Sequence, residues 1–261
     1  MRSFSAQDAV REMQDGEGIY VVPNFLSEEV RQGLIDVTDQ YQPDRFGTVR
    51  RLLDKTSYFD PILLHADILE TCRLLFGPSF RLGSLDTKIL EPRRPDDEAF
   101  ELRPHVDFPS YDMVGSVEGD ANAFYGIPMA LKVFIPLSDL TYDSGATAYI
   151  PGSQKWHRDP EKNAGEFETR MERGEASRLM VPGGSLAMWS GPLWHADLDN
   201  LSDSRRYLTH ICMVSGLSAR PQVFSQMYPQ EYFERAHPKI AELLGAHDLI
   251  PAVDPNVLNA A

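Results

Sequence analysis

Helical spacing of apolar residues dominates both ends of the chain. Apolar residues three or four positions apart, with charged residues between them, predict a surface helix over residues 27–40. A capping-box pattern at Ser5 and Asp8 predicts a shorter helix that stops at Asp15–Gly16, and a third is predicted over residues 66–76. The tail PQEYFERAHPKIAELLG returns to the same spacing. We therefore expect helices on both flanks of the protein.

The middle of the chain has a different pattern of apolar and polar residues. From about residue 80, turn residues separate five short apolar runs: FRLGSLDTKIL, ALKVFIPLSD, GATAYIPG, GGSLAMWSG and RYLTHICMVSG. Short strands with frequent turns are typical of a β-sandwich or barrel and not of alternating βαβ units. No repeat or linker in the sequence marks a second domain, so we expect residues 1–261 to form one domain with a β core over about residues 80–216.

Composition and charge narrow the class of protein. The chain is 42% hydrophobic and 25% charged, which is typical of a globular protein and argues against disorder. Its net charge of -14 would repel nucleic acid and anionic membranes, so we expect neither as a partner, whereas a small anion can still bind in a local basic pocket. No window approaches the roughly 18 apolar residues of a membrane span, and the N-terminus has no apolar signal region. We expect a cytoplasmic protein, and its oligomeric state is left open.

The two cysteines, Cys72 and Cys212, lie in apolar contexts, and neither belongs to a C-x-x-C pair. Cysteine is among the most frequently buried residue types. We expect both to be buried free thiols.

Candidate chemistry begins with the segment RPHVDFPS. In an extended strand, His105 and Asp107 would point to the same side because side chains alternate with a period of two. His195 follows a Ser-Gly-Pro turn and precedes a polar loop, a position that favours facing a cavity over filling a core. Two imidazoles and one carboxylate are the ligand set of non-heme Fe(II) oxygenases. On these residues alone, exposed or core-satisfied side chains are the alternative.

A longer pattern resembles the phytanoyl-CoA dioxygenase family of Fe(II)- and 2-oxoglutarate-dependent oxygenases. The family pattern is H-x-D, a strand ending in P-G-S-H, a G-D turn, and a distal histidine followed by N, S and R. Its counterparts here are HVD, SGATAYIPGSQK, GGSLAMWSGPLWH and NLSDSRR. The opening DGEGIYVVPNFLSEEV is also similar, so the likeness spans about residues 14–216. It implies a mainly β fold with flanking helices and a double-stranded β-helix (jelly-roll, cupin-like) core.

The resemblance also implies a catalytic centre and its cofactors. It makes His105, Asp107 and His195 the metal ligands of Fe(II), with 2-oxoglutarate as co-substrate and O2 as oxidant. Arg206 lies eleven residues after His195, as the family's co-substrate arginine does, and a guanidinium fork suits bidentate recognition of a carboxylate. A metal-binding cupin-like isomerase, or a small-molecule binding protein without oxygenase activity, is the alternative. Such a protein would have no need of this arginine, and a degenerate structural relative would not need the ligands.

Further residues near these positions are implied with less detail. Asn200 and Ser202 keep the family's small polar spacing, and Ser202 is expected at the co-substrate site. Lys88 resembles a family lysine that can reach the other end of the co-substrate, with a plain surface lysine as the alternative. Arg205 would face away from the site. His210, on the same side of its strand as Arg206, is expected to be a hydrogen-bonded structural residue.

The sequence also departs from the family pattern. Gln154 replaces the histidine after P-G-S, Ser185 replaces the aspartate of the G-D turn, and Ser144 replaces the asparagine of N-G. None of the three is a metal ligand in the pattern, so they bear on the subfamily and not on iron. His157 and His210 remain competing histidines for the metal.

Expectations about the substrate are coarser. Because some relatives with a small residue in place of the ligand aspartate are halogenases, Asp107 argues for hydroxylation, with desaturation, epimerisation or cyclisation also open. We expect a free small molecule, such as a secondary metabolite or an amino-acid-like compound, over an acyl thioester, because the chain shows no obvious basic groove for a coenzyme A tail. Residues 108–128 are interpreted as a substrate lid, with a surface loop as the alternative. Candidate substrate contacts are Arg103, Tyr111, Phe124 and Trp194.

Overall fold

A computed structural model describes residues 1–94, 96–97, 101–107, 129–156, 160, 164–218 and 222–246. Its helices are α1 (Ala6–Asp15), α2 (Glu28–Thr38), α3 (Asp60–Leu63), α4 (Ala66–Phe76), α5 (Ala164–Glu172), α6 (Phe224–Met227), α7 (Gln230–Arg235) and α8 (Pro238–Leu243). Its strands are β1 (Ile19–Val22), β2 (Thr48–Arg50), β3 (Phe80–Leu90), β4 (Ala130–Pro136), β5 (Ala148–Tyr149), β6 (Ser177–Arg178), β7 (Leu186–Ser190), β8 (His195–Ala196) and β9 (Arg206–Ser215).

Capping groups confirm where the first two predicted helices begin, although α2 ends at Thr38, two residues before the predicted end at residue 40. Ser5 Oγ accepts a hydrogen bond from the backbone N–H of Asp8 at 3.1 Å at the start of α1, and Ser27 Oγ accepts one from Val30 at the start of α2. These bonds satisfy N–H groups that have no partner within the helix. The predicted third helix is α4, which ends at Gly77 with φ +76°, a conformation that glycine adopts without steric cost.

The strands form two antiparallel sheets, as the short apolar runs predict. One sheet has six strands in the order β1-β7-β4-β9-β3-β2, and the other has three in the order β6-β5-β8. Neighbouring strands in both sheets run antiparallel in the described part of the chain. Two strands of the larger sheet, β1 and β2, come before residue 80, so this sheet recruits the N-terminal part of the chain.

Alternation along the larger sheet separates a core face from a polar face. On β3, Leu85 and Ile89 pack into the main apolar core, which also holds residues of the flanking helices such as Leu34 of α2. Asp86 and Lys88, which alternate with these residues on β3, line a cavity on the opposite face. Because a strand alternates its side chains, one sheet can bury a helix-covered core and still present polar groups to a site.

Two further expectations concern the chain as a whole. Cys72 and Cys212 are free and buried, as predicted. In the described part of the chain, none of the helices combines the length and the apolar character that a bilayer crossing needs.

Candidate metal centre

The three predicted ligands converge at one end of the cavity. His105 and His195 are bridge partners, joined by backbone hydrogen bonds of 2.8 and 3.1 Å, and their rings are 4.2 Å apart. Asp107 lies two residues after His105 and faces the same side. One candidate ligand atom from each of the three residues lies within 4.8 Å of the other two. The arrangement brings together two positions about ninety residues apart in the chain.

Backbone carbonyls fix which nitrogen of each histidine is free. Nδ1 of His105 lies 3.0 Å from the carbonyl of Arg103, and Nδ1 of His195 lies 2.9 Å from the carbonyl of Leu193. A carbonyl oxygen only accepts, so each Nδ1 carries the proton and donates. Nε2 of both rings is left with its lone pair, as a metal ligand requires.

The carboxylate of Asp107 is held by two side chains that the sequence did not single out. Lys132 Nζ donates to Oδ1 at 3.1 Å, and Trp189 Nε1 donates to Oδ2 at 2.8 Å. Burial alone would raise the pKa of Asp107, but the charge of Lys132 and the nearby histidines lower it well below its ordinary value. The carboxylate is therefore charged and oriented at neutral pH.

His195 is suited to the same role in its neutral form. It is 4% exposed, and its Nε2 lies 3.6 Å from Asp107 Oδ2. Burial, and then the neighbouring His105, lower the pKa of His195 to about 4. At neutral pH the ring is uncharged and does not have to lose a proton before binding a cation.

These residues fit a divalent metal, and Fe(II) in particular. One hard carboxylate oxygen and two imidazole nitrogens on one side of a site form the facial triad of non-heme iron. The donor atoms converge on a cavity of about 270 Å³ that is lined by both sheets, so the opposite side is open to small ligands. The buried lysine next to Asp107 supplies the outer contact that orients such a ligand.

Arg206 lies at the start of β9 and is 1% exposed. Its Nη1 donates to the backbone carbonyls of Gly145 and Ser144. Its Nε and Nη2 are buried and have no hydrogen-bond partner among the described residues. Two unpartnered donors on a buried guanidinium are costly unless a ligand satisfies them, and a carboxylate matches their geometry.

Lys88 is not a plain surface lysine. It lines the cavity, and its Nζ pairs with Asp197 Oδ2 at 2.7 Å. Burial would raise the pKa of Asp197, but Lys88 and Arg206 lower it far below its ordinary value. A carboxylate of the protein thus lies between the two basic side chains that the sequence associates with the co-substrate.

Ser202 contributes to the loop after β8. Its hydroxyl donates to Asn200 Oδ1 at 2.6 Å. Asn200 is 1% exposed, and its Nδ2 donates to the carbonyls of Leu90 and Ser204. These contacts hold the loop that connects His195 to Arg206. Arg205 faces away from the site as predicted, with a half-exposed side chain that pairs with Glu91.

Of the four predicted substrate contacts, Trp194 and Arg103 lie within the described residues, and they have different surroundings. Trp194 is fully buried in a small apolar cluster and packs edge-on against Trp156, with ring centroids 5.1 Å apart. Arg103 is exposed and pairs with Glu101 at 2.6 Å. Tyr111, Phe124 and the whole 108–128 segment lie outside the described residues, as does His157.

His210 faces the cavity and packs against Phe134. Its Nε2 is buried without a hydrogen-bond partner in the described part of the chain, unlike the fully bonded structural histidine expected from the sequence. Burial and the charge of Lys132 lower its pKa.

The sequence contained signals for two cavity residues that were not predicted, Asp197 and Lys132. Asp197 lies two residues after His195, so both side chains point to the same side of an extended segment. Lys132 is a lone cation in the otherwise apolar run ALKVFIP.

The chain matches the family model for phytanoyl-CoA dioxygenase (PhyH) over residues 36–207. It is 30% identical to the dioxygenase af480 of Aspergillus fumigatus over 118 residues, which span 44% of this chain and 36% of the fungal protein. Its fold is similar to that of SnoN, the non-heme alpha ketoglutarate dependent epimerase from nogalamycin biosynthesis, with 18% identity, a TM-score of 0.58 and 80% of each chain covered.

A second solved structure is similar over more of its length. HygX from Streptomyces hygroscopicus, with nickel and 2-oxoglutarate bound, has 15% identity and a TM-score of 0.62, covering 84% of this chain and 90% of HygX. These likenesses confirm the predicted mainly β, jelly-roll fold with flanking helices.

Proposed function

Because the chain belongs to the phytanoyl-CoA dioxygenase (PhyH) family, we propose that it is an Fe(II)- and 2-oxoglutarate-dependent oxygenase acting on a small molecule. The observation that carries this proposal is the convergence of His105, Asp107 and His195 on a cavity near an unsatisfied, buried arginine. A metal-binding isomerase would explain the three ligands, but it would not explain the two buried donors of Arg206 that have no partner among the described residues.

In this proposal the two Nε2 atoms and one Asp107 oxygen hold the iron. Lys132 and Trp189 each engage one oxygen of Asp107, so the carboxylate cannot rotate freely. Restricting the rotation of a ligand reduces the entropy that metal binding would cost. Trp189 also packs edge-on against His195, with ring centroids 5.2 Å apart, and so braces two ligands at once.

Arg206 would bind the far carboxylate of 2-oxoglutarate through Nε and Nη2. Two more buried polar atoms without a partner among the described residues, Thr147 Oγ1 and His210 Nε2, belong to side chains that line the same cavity. A dicarboxylate supplies several acceptors for such donors. Lys88 and Asp197 complete this end of the cavity as a bonded pair.

When bound, iron and 2-oxoglutarate supply oxidative decarboxylation with O2 and the removal of a hydrogen atom from the substrate. The chain's own contribution is to position these groups and to keep water from the reacting end of the cavity. Phe134 and Trp189 form an apolar pair on the cavity wall, with ring centroids 5.1 Å apart. Hydroxylation is the outcome we propose, with desaturation, epimerisation or cyclisation as variants of the same chemistry.

The finer parts of the proposal concern the substrate and its setting. We propose a free secondary metabolite or amino-acid-like compound, and therefore a biosynthetic role in the cytoplasm. The net charge of -14 supports a small-molecule substrate over a polyanionic partner.

The test is anaerobic titration with Fe(II) and 2-oxoglutarate, followed by the weak visible charge-transfer band of the chelate. We expect the wild type to develop the band and His195→Ala to lose metal binding. Arg206→Ala should still bind metal but should need at least about tenfold more 2-oxoglutarate, because a bidentate charged contact is lost.

Arg205→Ala is the matched control. It removes the same charge one residue away, from a half-exposed side chain that faces Glu91 instead of the cavity. It should titrate like the wild type. Absence of the band in the wild type, or equal losses in Arg205→Ala and Arg206→Ala, would contradict the proposed function.

A further inference from the structure

The wall formed by β2 and β3 lines the same cavity as the metal ligands. Arg50 of β2 pairs in register with Asp86 of β3, which in turn pairs with His210 of β9 and, through it, Phe134 of β4. Arg50, Asp86, His210 and Phe134 all line the cavity. This wall therefore faces the space in which a substrate would lie.

The cations of the cavity wall are engaged by acidic side chains. Lys132 is paired with Asp107 at 3.1 Å, and Lys88 is paired with Asp197 at 2.7 Å. Arg50 makes its short ion pair with Asp44, outside the cavity lining.

Asp86 differs from these acids. Its ion pair is a longer one, 3.5 Å from Arg50 Nε, and the Arg50 side chain is half exposed. Exposed and long ion pairs contribute little. Among the described cavity-lining residues, Asp86 is thus the carboxylate whose charge is least compensated.

The environment of Asp86 keeps it fixed without neutralising it. The amide Nε2 of Gln222 donates to both carboxylate oxygens, at 3.0 and 2.9 Å. This neutral donor orients the group but leaves most of its acceptor sites available. Burial raises the pKa of Asp86, and the opposing effects of Gln222, Arg50 and Lys132 do not offset it.

An aromatic side chain lies on the same side of the cavity. Phe46 is 63% exposed, lines the cavity, and carries the guanidinium of Arg45 at 4.6 Å from its ring centroid. An exposed phenylalanine in a cavity lining offers an apolar face to a ligand. Phe46 and Asp86 together present one apolar and one anionic surface.

We propose that this wall is a substrate subsite in which Asp86 binds a protonated amine of the substrate and Phe46 contacts its apolar frame. This inference rests on the proposed function and specifies its substrate class. Asp86 and Lys132, whose ammonium contacts Asp107, lie two strands and two residues apart, about 12 Å between Cα atoms from ideal sheet spacings. The amine and the oxidised position are therefore several bonds apart in the substrate.

Three probes of similar shape test the charge preference: phenethylamine, 2-phenylethanol and 3-phenylpropionate. Their affinities are measured by calorimetry on protein loaded with Ni(II) and 2-oxoglutarate, which is inert to oxygen chemistry. We expect the amine to bind at least about tenfold more tightly than the alcohol, and the carboxylate to bind most weakly.

Two variants of the wall have opposite expected effects. Asp86→Asn keeps an acceptor for Gln222 but removes the charge, and should weaken amine binding about tenfold while changing alcohol binding less than about twofold. Arg50→Gln removes the competing cation and should strengthen amine binding about two- to threefold. A purely structural role for these residues would not give opposite signs. Asp36→Asn, an exposed carboxylate on α2, is the control for net charge and should have no effect.

Equal binding of amine and alcohol, failure of the amine to bind at millimolar concentration, or unchanged amine binding in Asp86→Asn would each overturn the inference. The same samples show separately whether the proposed function fails. If it fails, the protein does not bind 2-oxoglutarate together with metal, whatever its preference for the amine. If the chelate forms normally and the three probes bind alike, only the subsite is refuted.

Discussion

Replacing Lys132 by methionine separates the structural and metal-binding roles of Asp107. Lys132 lies in the middle of β4, and its side chain and that of Asp107 are each 13% exposed. Methionine keeps most of the aliphatic stem, so apolar packing is largely retained. The change leaves a largely buried carboxylate that keeps one side-chain hydrogen bond among the described residues, from Trp189 Nε1. We expect Lys132→Met to be less stable without metal and to recover when metal binds.

The size of the effect follows from the burial of the pair. Removing one partner of a buried ion pair typically costs about 3–5 kcal/mol, because the other charge stays buried and uncompensated. The lower end applies here, since Asp107 borders a cavity that water can enter and keeps its bond from Trp189. A loss of about 3 kcal/mol in a domain of this size lowers the melting temperature by roughly 6–12 °C. A bound divalent cation would restore the missing positive charge.

The assay is thermal unfolding of chelator-stripped protein with and without Ni(II). We expect nickel to raise the melting temperature of Lys132→Met more than that of the wild type, because the cation then compensates a carboxylate that has lost its lysine partner, and this gain exceeds the loss of the orienting contact. Lys88→Met is the matched control: it breaks a comparable pair with Asp197, and metal should not recover its loss. Equal nickel-induced shifts in wild type and Lys132→Met, or full recovery of Lys88→Met by nickel, would refute the reasoning.

Three other predictions concern single contacts. Trp189→Phe keeps an aromatic ring but loses the 2.8 Å hydrogen bond to Asp107, so it should weaken Ni(II) binding about 10–100-fold in a titration. An unchanged affinity would contradict an orienting role for Trp189. Asn200→Ala removes four hydrogen bonds of a buried amide and should lower the free energy of unfolding in urea by about 2 kcal/mol. A change near zero would show that the loop is stable without this side chain. Burial raises the pKa of Cys212 to about 12, so the folded state keeps a proton that the unfolded thiol releases above about pH 8.5. The free energy of unfolding should therefore fall as pH rises beyond about 8.5. The Cys212 thiol should react with Ellman's reagent only after unfolding.

Local signals predicted much of the fold and part of the site. A serine before each of the first two helices marks a boundary that the backbone itself requires. Period-two alternation predicts that Arg206 and His210 share one side of β9 and that Arg205 faces the other way; His210 lines the cavity, and Arg205 is half exposed beside Glu91. The same rule would have placed Trp194 on the side opposite His195, where it is buried in an apolar cluster.

Contacts between distant segments could not be predicted in this way. Lys132 meets Asp107 because the sheet order brings β4 next to β7, and this order depends on pairing between strands that are distant in the chain. Asp86 is similar, because its exposure to the cavity depends on the bulge between Leu82 and Ser84, which resets the alternation of β3. A single residue of slip would have turned Asp86 toward the apolar core.

The distribution of charge in the cavity links the two proposals. Lys132 with Asp107 and Lys88 with Asp197 are neutral pairs, which leaves the buried Arg206 positive near Asp197 and Asp86 negative on the β2–β3 wall. A divalent cation and a dicarboxylate add equal and opposite charge, so loading the site does not remove the excess negative charge near Asp86. A substrate with a carboxylate or phosphate there would meet like charge in a partly desolvated space, where repulsion is weakly screened. A protonated amine in the same position would give Asp86 a close ion-pair partner, as Asp197 already does for Lys88 on the same wall.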